Sequence, residues 1–574
     1  METPQPTTPP KRRSGVLLGI GIGVVVVALI GLGVLLIPRL LNTTAGTVNI
    51  TAAAMPADTQ VYVSFNPHFD KLPDGDVVLK AWNDPEIAKS IEDSIRNALE
   101  DNDLDWDQDI ASWLGDEIGL GTSNLPLDPN ASSETPPSLV LVVATRDTAK
   151  SDALLAKLRS ASEANGSKYT EQTYRGVTTV EQQANFDTEW PMAYATVNDL
   201  VIVATGSDTL HAAIDAALDG KGLDKSSNYQ ATLSQLRGGR AVTMYFDLAL
   251  LLKALFEQME EAGAFRTTAL SQSALESLEA LQGVAMGLSF EANGLRFEII
   301  ASTDVSKLPS DQVAIVTAPA NPNRLLRAAP DSTFLFSGGQ SLASLSRIFL
   351  ESMRSADASV EESLQAFERA AEVDLEKDIF GWMTGEFAIV AMPGAGFGGG
   401  TSQIPFGLAL IIEAADKQLA ETNIHKLIQA LAAESRAGIS EVIVGDAPLH
   451  ALLDNFNDEP VLVYGLLGDN FVLTLSDNTA KKIAGAADGS LAEDETFKTA
   501  IASLPKNNNG FFYLKPKPIV DLLMLGLTFS GQECTACALF GPIRAIAAAG
   551  EQPLSEAGVG RTTLFVLLDT SEDK

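Results

Sequence analysis

One stretch of this chain occurs twice, which constrains it more than any single motif, because whatever fold suits the stretch must be built twice. DIASWLGDEI carries Asp109, Trp113 and Glu117; DIFGWMTGEF carries Asp378, Trp382 and Glu386, 269 residues later and without a gap. Three more blocks keep the same order and nearly the same spacing. Tyr194 and Asp199 match Tyr464 and Asp469; Tyr229, Leu236 and Tyr245 match Phe497, Leu504 and Tyr513; Pro56 and Thr59 match Pro330 and Thr333. With only five Trp among 574 residues, a Trp at both matching positions carries weight. The sequence therefore reads as a tandem duplication, with one copy over 53–304, a linker over 305–327 and a second copy over 328–574.

Each copy opens on a strand and runs into helical sequence that ends at the Trp segment. An apolar strand follows, and then an amphipathic helix, seen in the first copy as Leu154, Leu155 and Leu158 at helical spacing. Asn198-Asp199 and Gly468-Asp469-Asn470 are hairpin turns, and so is Asn293-Gly294 at the close of the first copy. Hairpins mixed with helices predict an α+β fold with mostly antiparallel sheets in both copies.

Ahead of the copies, Gly15 to Ile37 holds no charged residue, long enough at about 1.5 Å per residue to cross a hydrocarbon core of roughly 30 Å. This predicts a transmembrane helix over 15–37, a short tail over 1–14 and a linker over 38–52. Lys11, Arg12 and Arg13 precede the run and only Arg39 follows closely, so the tail is expected in the cytoplasm and the bulk of the chain outside it. Gly15, Gly19 and Gly23 share one helix face, where a second copy of the helix could pack to form a homodimer.

The formal charge is −34, from 74 acidic and 40 basic residues. Such a surface lacks the clustered cations that nucleic acid requires, so no nucleic-acid partner is expected. The acidity is spread over both copies, and 45% apolar residues are enough to build cores.

No motif completes a catalytic constellation. Cys534 and Cys537, the only cysteines, form a close pair expected to be a disulfide outside the cytoplasm; the alternative is a thiol exchanger. His68, His211, His425 and His450 have no short ligand spacing to one another, so no zinc site is expected. The run Asp101, Asp103, Asp105, Asp107 and Asp109 invites a calcium reading, but Trp106 and Ser112 stand where an EF-hand needs Gly and Glu. A helix-capping acidic turn suits it better. Gly339 to Ala343 resembles a nucleophile elbow, but Ala343 replaces the second Gly, and Ser341 reads as a helix cap. The run Gly394 to Gly400 lacks the Lys of a phosphate loop. Asp109, Trp113 and Glu117, with Asp378, Trp382 and Glu386, read as a structural signature: a core Trp with an exposed or capping acid.

The opening AAAMPADTQVYVSF, the WLGDE segment, the strand YRGVTTVEQQ and the duplication together resemble the bacterial domain of unknown function family 3352. The resemblance implies a bacterial envelope protein and carries no catalytic residues. The expectation is a single-pass, membrane-anchored, extracytoplasmic protein that binds or scaffolds an envelope partner, with no enzymatic activity and no cofactor. The alternatives are an envelope thiol oxidoreductase using Cys534 and Cys537, or a carrier of a hydrophobic ligand.

Overall fold

The computed structural model describes residues 49–68, 71–81, 99, 104–124, 138–184, 190–261, 280–356, 359–394, 406–454, 459–530, 540–555 and 558–570. The apolar run with Gly15, Gly19 and Gly23 lies outside them, as do Cys534 and Cys537. Among the described residues no helix is long and apolar enough to cross a membrane.

The chain forms two compact units, Met1–Leu255 with Gly283–Phe290, and Phe256–Gln282 with Glu291–Lys574. The first unit contains β1 (Val61–Phe65), β2 (Leu114–Thr122), β3 (Leu139–Thr145), β4 (Tyr169–Tyr174), β5 (Val177–Gln182), β6 (Met192–Val197), β7 (Leu200–Thr205), β8 (Arg240–Phe246) and most of β9 (Leu281–Glu291). Their order across the sheet is β4-β5-β6-β7-β3-β2-β1-β8-β9, antiparallel throughout.

The second unit contains β10 (Gly294–Thr303), β11 (Leu335–Gln340), β12 (Glu386–Pro393), β13 (Phe406–Glu413), β14 (Ile439–Val444), β15 (Ala447–Leu453), β16 (Pro460–Leu467), β17 (Asn470–Thr474), β18 (Phe512–Leu514), β19 (Ile543–Gly550) and β20 (Val559–Leu568). Their order is β14-β15-β16-β17-β13-β12-β11-β18-β19-β20-β10, again antiparallel. Ten strands in, the second unit repeats the connectivity of the first, and mixed helix with antiparallel sheet is the α+β class that the hairpin signals predict.

Local chemistry explains the elements. Hairpin tips need positive φ, and they have it at Arg175 and Gly176, at Asn198, at Gly445 and at Gly468. The long helix of each unit, Thr148–Ala164 and Lys417–Ser435, starts at an Asp cap: Lys150 N–H donates to Asp147 at 3.2 Å and Leu419 N–H to Asp416 at 3.0 Å. The apolar stripe of the first helix packs Leu154 and Leu155 against Trp113 and Tyr194. That of the second packs Ile424 and Ile428 against Trp382, Tyr464 and Phe471. On the other side of the sheet Tyr62, Tyr229 and Tyr245 meet edge to face, and in the second unit Phe497 meets Tyr513 in the same way beside Phe336.

β10 follows a turn at Ala292 and Asn293, one residue before the expected Asn293-Gly294 tip, and pairs along nine residues with β20, more than 250 residues later. Arg296 and Glu298 on β10 are each only 2% exposed. The Arg296 guanidinium contacts Glu298 and Thr563 Oγ1, both at 3.4 Å, and donates to the Ser503 carbonyl. Arg561 of β20 donates to Glu298 at 2.8 Å. A paired buried charge of this kind tolerates few other registers.

Candidate functional site

The signature residues form a brace in each unit, half-buried at the Asp and buried at the Trp and Glu. Asp105 N–H donates to Asp109 Oδ2 at 2.8 Å while Asp105 Oδ1 accepts from Gln108 N–H at 2.8 Å. Asp374 and Asp378 repeat the exchange, with Asp374 N–H to Asp378 Oδ2 at 2.8 Å and Lys377 N–H to Asp374 Oδ1 at 3.0 Å. This reciprocal cap starts the wide helical turns Trp106–Ala111 and Leu375–Ile379, so these carboxylates are spent on backbone donors. Lys157 also donates to Asp109, at 2.8 Å. Asp101 and Asp103 lie outside the described residues, among which no group of three His, Cys, Asp or Glu is placed to hold a metal.

Trp113 and Trp382 fill the cores beneath, and Trp113 Nε1 donates to the Asp109 carbonyl at 2.6 Å. Glu117 and Glu386 are capping residues, as one arm of the sequence reading has it, but they are buried, at 7% and 2% exposure. Glu117 accepts from the N–H groups of Ile50 at 2.7 Å and Thr51 at 3.1 Å and from Tyr62 Oη at 3.2 Å. It thereby fastens the 3-10 turn Thr51–Ala54 to β2. Glu386 accepts from Leu325 N–H at 3.3 Å and pairs with Arg324 Nε at 3.1 Å, fastening the turn Arg324–Arg327. The second unit has Phe336 in the place of Tyr62, and there the ion pair with Arg324 stands where the first unit has the phenol. Burial raises the pKa of both carboxyls, against the pull of their hydrogen bonds.

The second unit also has an open cleft of about 470 Å³ where β11 gives way to the helix Leu342–Ala356. Ser337, Gly339, Phe387, Phe512 and Ala548 form its walls, and Gln340, Ser341, Asn509 and Gln552 its polar edge. Ser341 sits at φ 55 in the turn from strand to helix, so the elbow-like geometry is real. The lining residues include no acid, base or thiol beside it, and general acid–base chemistry requires a titratable partner. On the adjoining helix Leu345, Phe349 and Met353 are exposed, Phe349 by 64%, one turn apart on one face. Their i, i+4, i+8 spacing is visible in the sequence, but it does not tell a covered face from an open one. Phe512 and Ile389 continue the exposed apolar surface on β18 and β12.

The histidines fall into different settings. His68 is fully buried with neither ring nitrogen hydrogen-bonded, and burial lowers its pKa to about 4. His211 stacks on Tyr174 with ring centres 3.8 Å apart. His425 and His450 come together with ring centres 4.3 Å apart, a pairing no sequence spacing reveals because one sits on a helix and the other on a strand. Of Gly394 to Gly400, only Gly394 is among the described residues.

The pattern of a family described as a protein of unknown function (DUF3352) matches residues 17–568. No curated protein matches the chain. Three solved structures, crystal forms IV, III and I of TP0453, share 11%, 10% and 11% identity and cover 44%, 47% and 45% of this chain and 79%, 86% and 79% of theirs. Their TM-scores of 0.22, 0.23 and 0.23 are too low to carry an argument about fold or function. With a match that runs from residue 17 to residue 568, the chain belongs to the DUF3352 family of proteins of unknown function.

Proposed function

We propose that this protein is a non-catalytic binding component of the bacterial envelope, held in the membrane by residues 15–37 with its two units, products of one tandem duplication, outside the cytoplasm. Its second unit receives a small, neutral, apolar molecule in the cleft beside β11. The observation that carries this reading is the lining of that cleft. Glycine, alanine and phenylalanine form its walls, amide and hydroxyl groups its edge, and none of the lining residues is charged, which disfavours a charged ligand. A volume of about 470 Å³ is of small-molecule size. The apolar row Leu345, Phe349 and Met353 leads into the cleft at Leu345.

Native mass spectrometry of the full chain released from nanodiscs provides the test. The expected result is a bound apolar molecule, with occupancy at least tenfold lower in Ser344→Trp, which fills the cleft from the helix side. Occupancy unchanged by that substitution would sink the reading.

A further inference from the structure

The most specific difference between the two units lies where the long helix crosses β5 and β6, or β15 and β16. In the first unit Val180 stands opposite Tyr194 across the strands, and in the second His450 stands opposite Tyr464. Ala156 and His425 both lie nine positions after their helix caps, Asp147 and Asp416. The first unit therefore closes the same place with Ala156, Val180 and Tyr194, and these three line an open cleft. The fold does not require histidine at either position, yet the second unit has two.

We propose that His425 and His450 form an open site for a divalent ion of the imidazole-binding class, Zn²⁺, Ni²⁺ or Cu²⁺. The hydrogen bonds of His425 prepare it for this. Its Nδ1 lies 2.9 Å from the hydroxyl of buried Tyr464, and its Nε2 lies 2.9 Å from Gln429 Nε2. An amide nitrogen only donates, so Nε2 is the acceptor and Nδ1 carries the proton given to Tyr464. That arrangement leaves the Nε2 lone pair pointing away from the phenol, with the other ring nitrogen held by a hydrogen bond, as in metal-bound histidines generally.

With metal–nitrogen bonds of about 2.0–2.1 Å, two imidazoles sharing one ion have ring centres roughly 4.5 Å apart at a right angle and about 5.2 Å apart at a tetrahedral one. The observed 4.3 Å lies just below that range, and His450 is partly exposed. Among the described residues no third His, Cys, Asp or Glu joins the pair. The Gln429 amide swings aside to free the Nε2 lone pair, solvent completes the coordination sphere, and the ion is exchangeable. Glu421, one helical turn before His425, and Glu441, the strand partner of His450, draw cations to the place without ligating.

Cu²⁺ electron paramagnetic resonance on the full chain is the test, with Cys534→Ser and Cys537→Ser so that thiols do not compete. One equivalent of Cu²⁺ should show hyperfine coupling to two imidazole nitrogens. His450→Gln and His425→Gln should each lose one nitrogen and at least tenfold in affinity, with circular dichroism unchanged, while His211→Gln in the first unit should match the parent. Two-nitrogen coupling that survives both second-unit substitutions, or no nitrogen coupling in the parent, overturns the proposal. Should one Gln variant fail to fold, the other decides the question alone.

Discussion

Glu117 is a carboxylate kept from water and surrounded by donors, and its titration gives the fold a definite dependence on pH. Its folded pKa lies above the ordinary 4.5, with burial as the main cause. The native state then binds a proton that the unfolded chain releases, so in the window above pH 4.5 this group makes the protein more stable as pH falls. Glu117→Gln should remove that contribution, so the wild type should gain on the variant as denaturation midpoints are followed downward through this window. Glu117→Ala leaves the Ile50 and Thr51 N–H groups without an acceptor, at a cost of roughly 2–4 kcal/mol. The recurrence of Glu four residues after Trp is plain in the sequence, but its burial is not, because an acid at the start of a strand is ordinarily exposed. The donors that make burial tolerable come from Thr51, 66 residues away, and Ile50, 67 away. The histidine pair escaped sequence reading for a similar reason: its members meet only after helix and sheet have packed.

At the level of elements, turn chemistry is what the sequence states most clearly. The Asn198 and Gly468 turns connect consecutive strands with the positive φ their residues favour, whereas the turn before β10 falls on Ala292 and Asn293, without positive φ, and Gly294 already belongs to the strand. Partners across the sheet are not written in this way. β10 alternates apolar and polar residues as an antiparallel strand should, yet nothing in that pattern indicates β20, more than 250 residues later, as its neighbour. What makes the pairing specific is the group of Arg296, Glu298 and Arg561, and removing one buried partner strands the rest. Arg296→Ala should therefore destabilise the second unit by about 3–5 kcal/mol, read from its unfolding transition. A chain beginning at residue 305 lacks β10 and should aggregate on the bared edge of β20, while one beginning at residue 291 should stay monodisperse by size-exclusion chromatography.

For the whole molecule, the strand order repeated among the described residues places the four matching sequence blocks at equivalent points of the two units. Trp113 and Trp382 lie under the long helices, and Tyr245 and Tyr513 lie in the core on the opposite face. The acidity is the other property of the whole, and it agrees with the extracytoplasmic placement proposed above. With Lys11, Arg12 and Arg13 ahead of the apolar run, alkaline phosphatase fused after Lys574 should be active in intact cells, and a cytoplasmic reporter at the same position should be silent. The pairing of β10 with β20 also sets a timetable. Gly294 is matched to Leu567, so at about 5–20 residues per second a ribosome makes the first strand roughly 15–50 s before the second exists. Throughout that interval the second unit lacks the strand that joins β19 to β10, and its sheet closes only after β20 has been made.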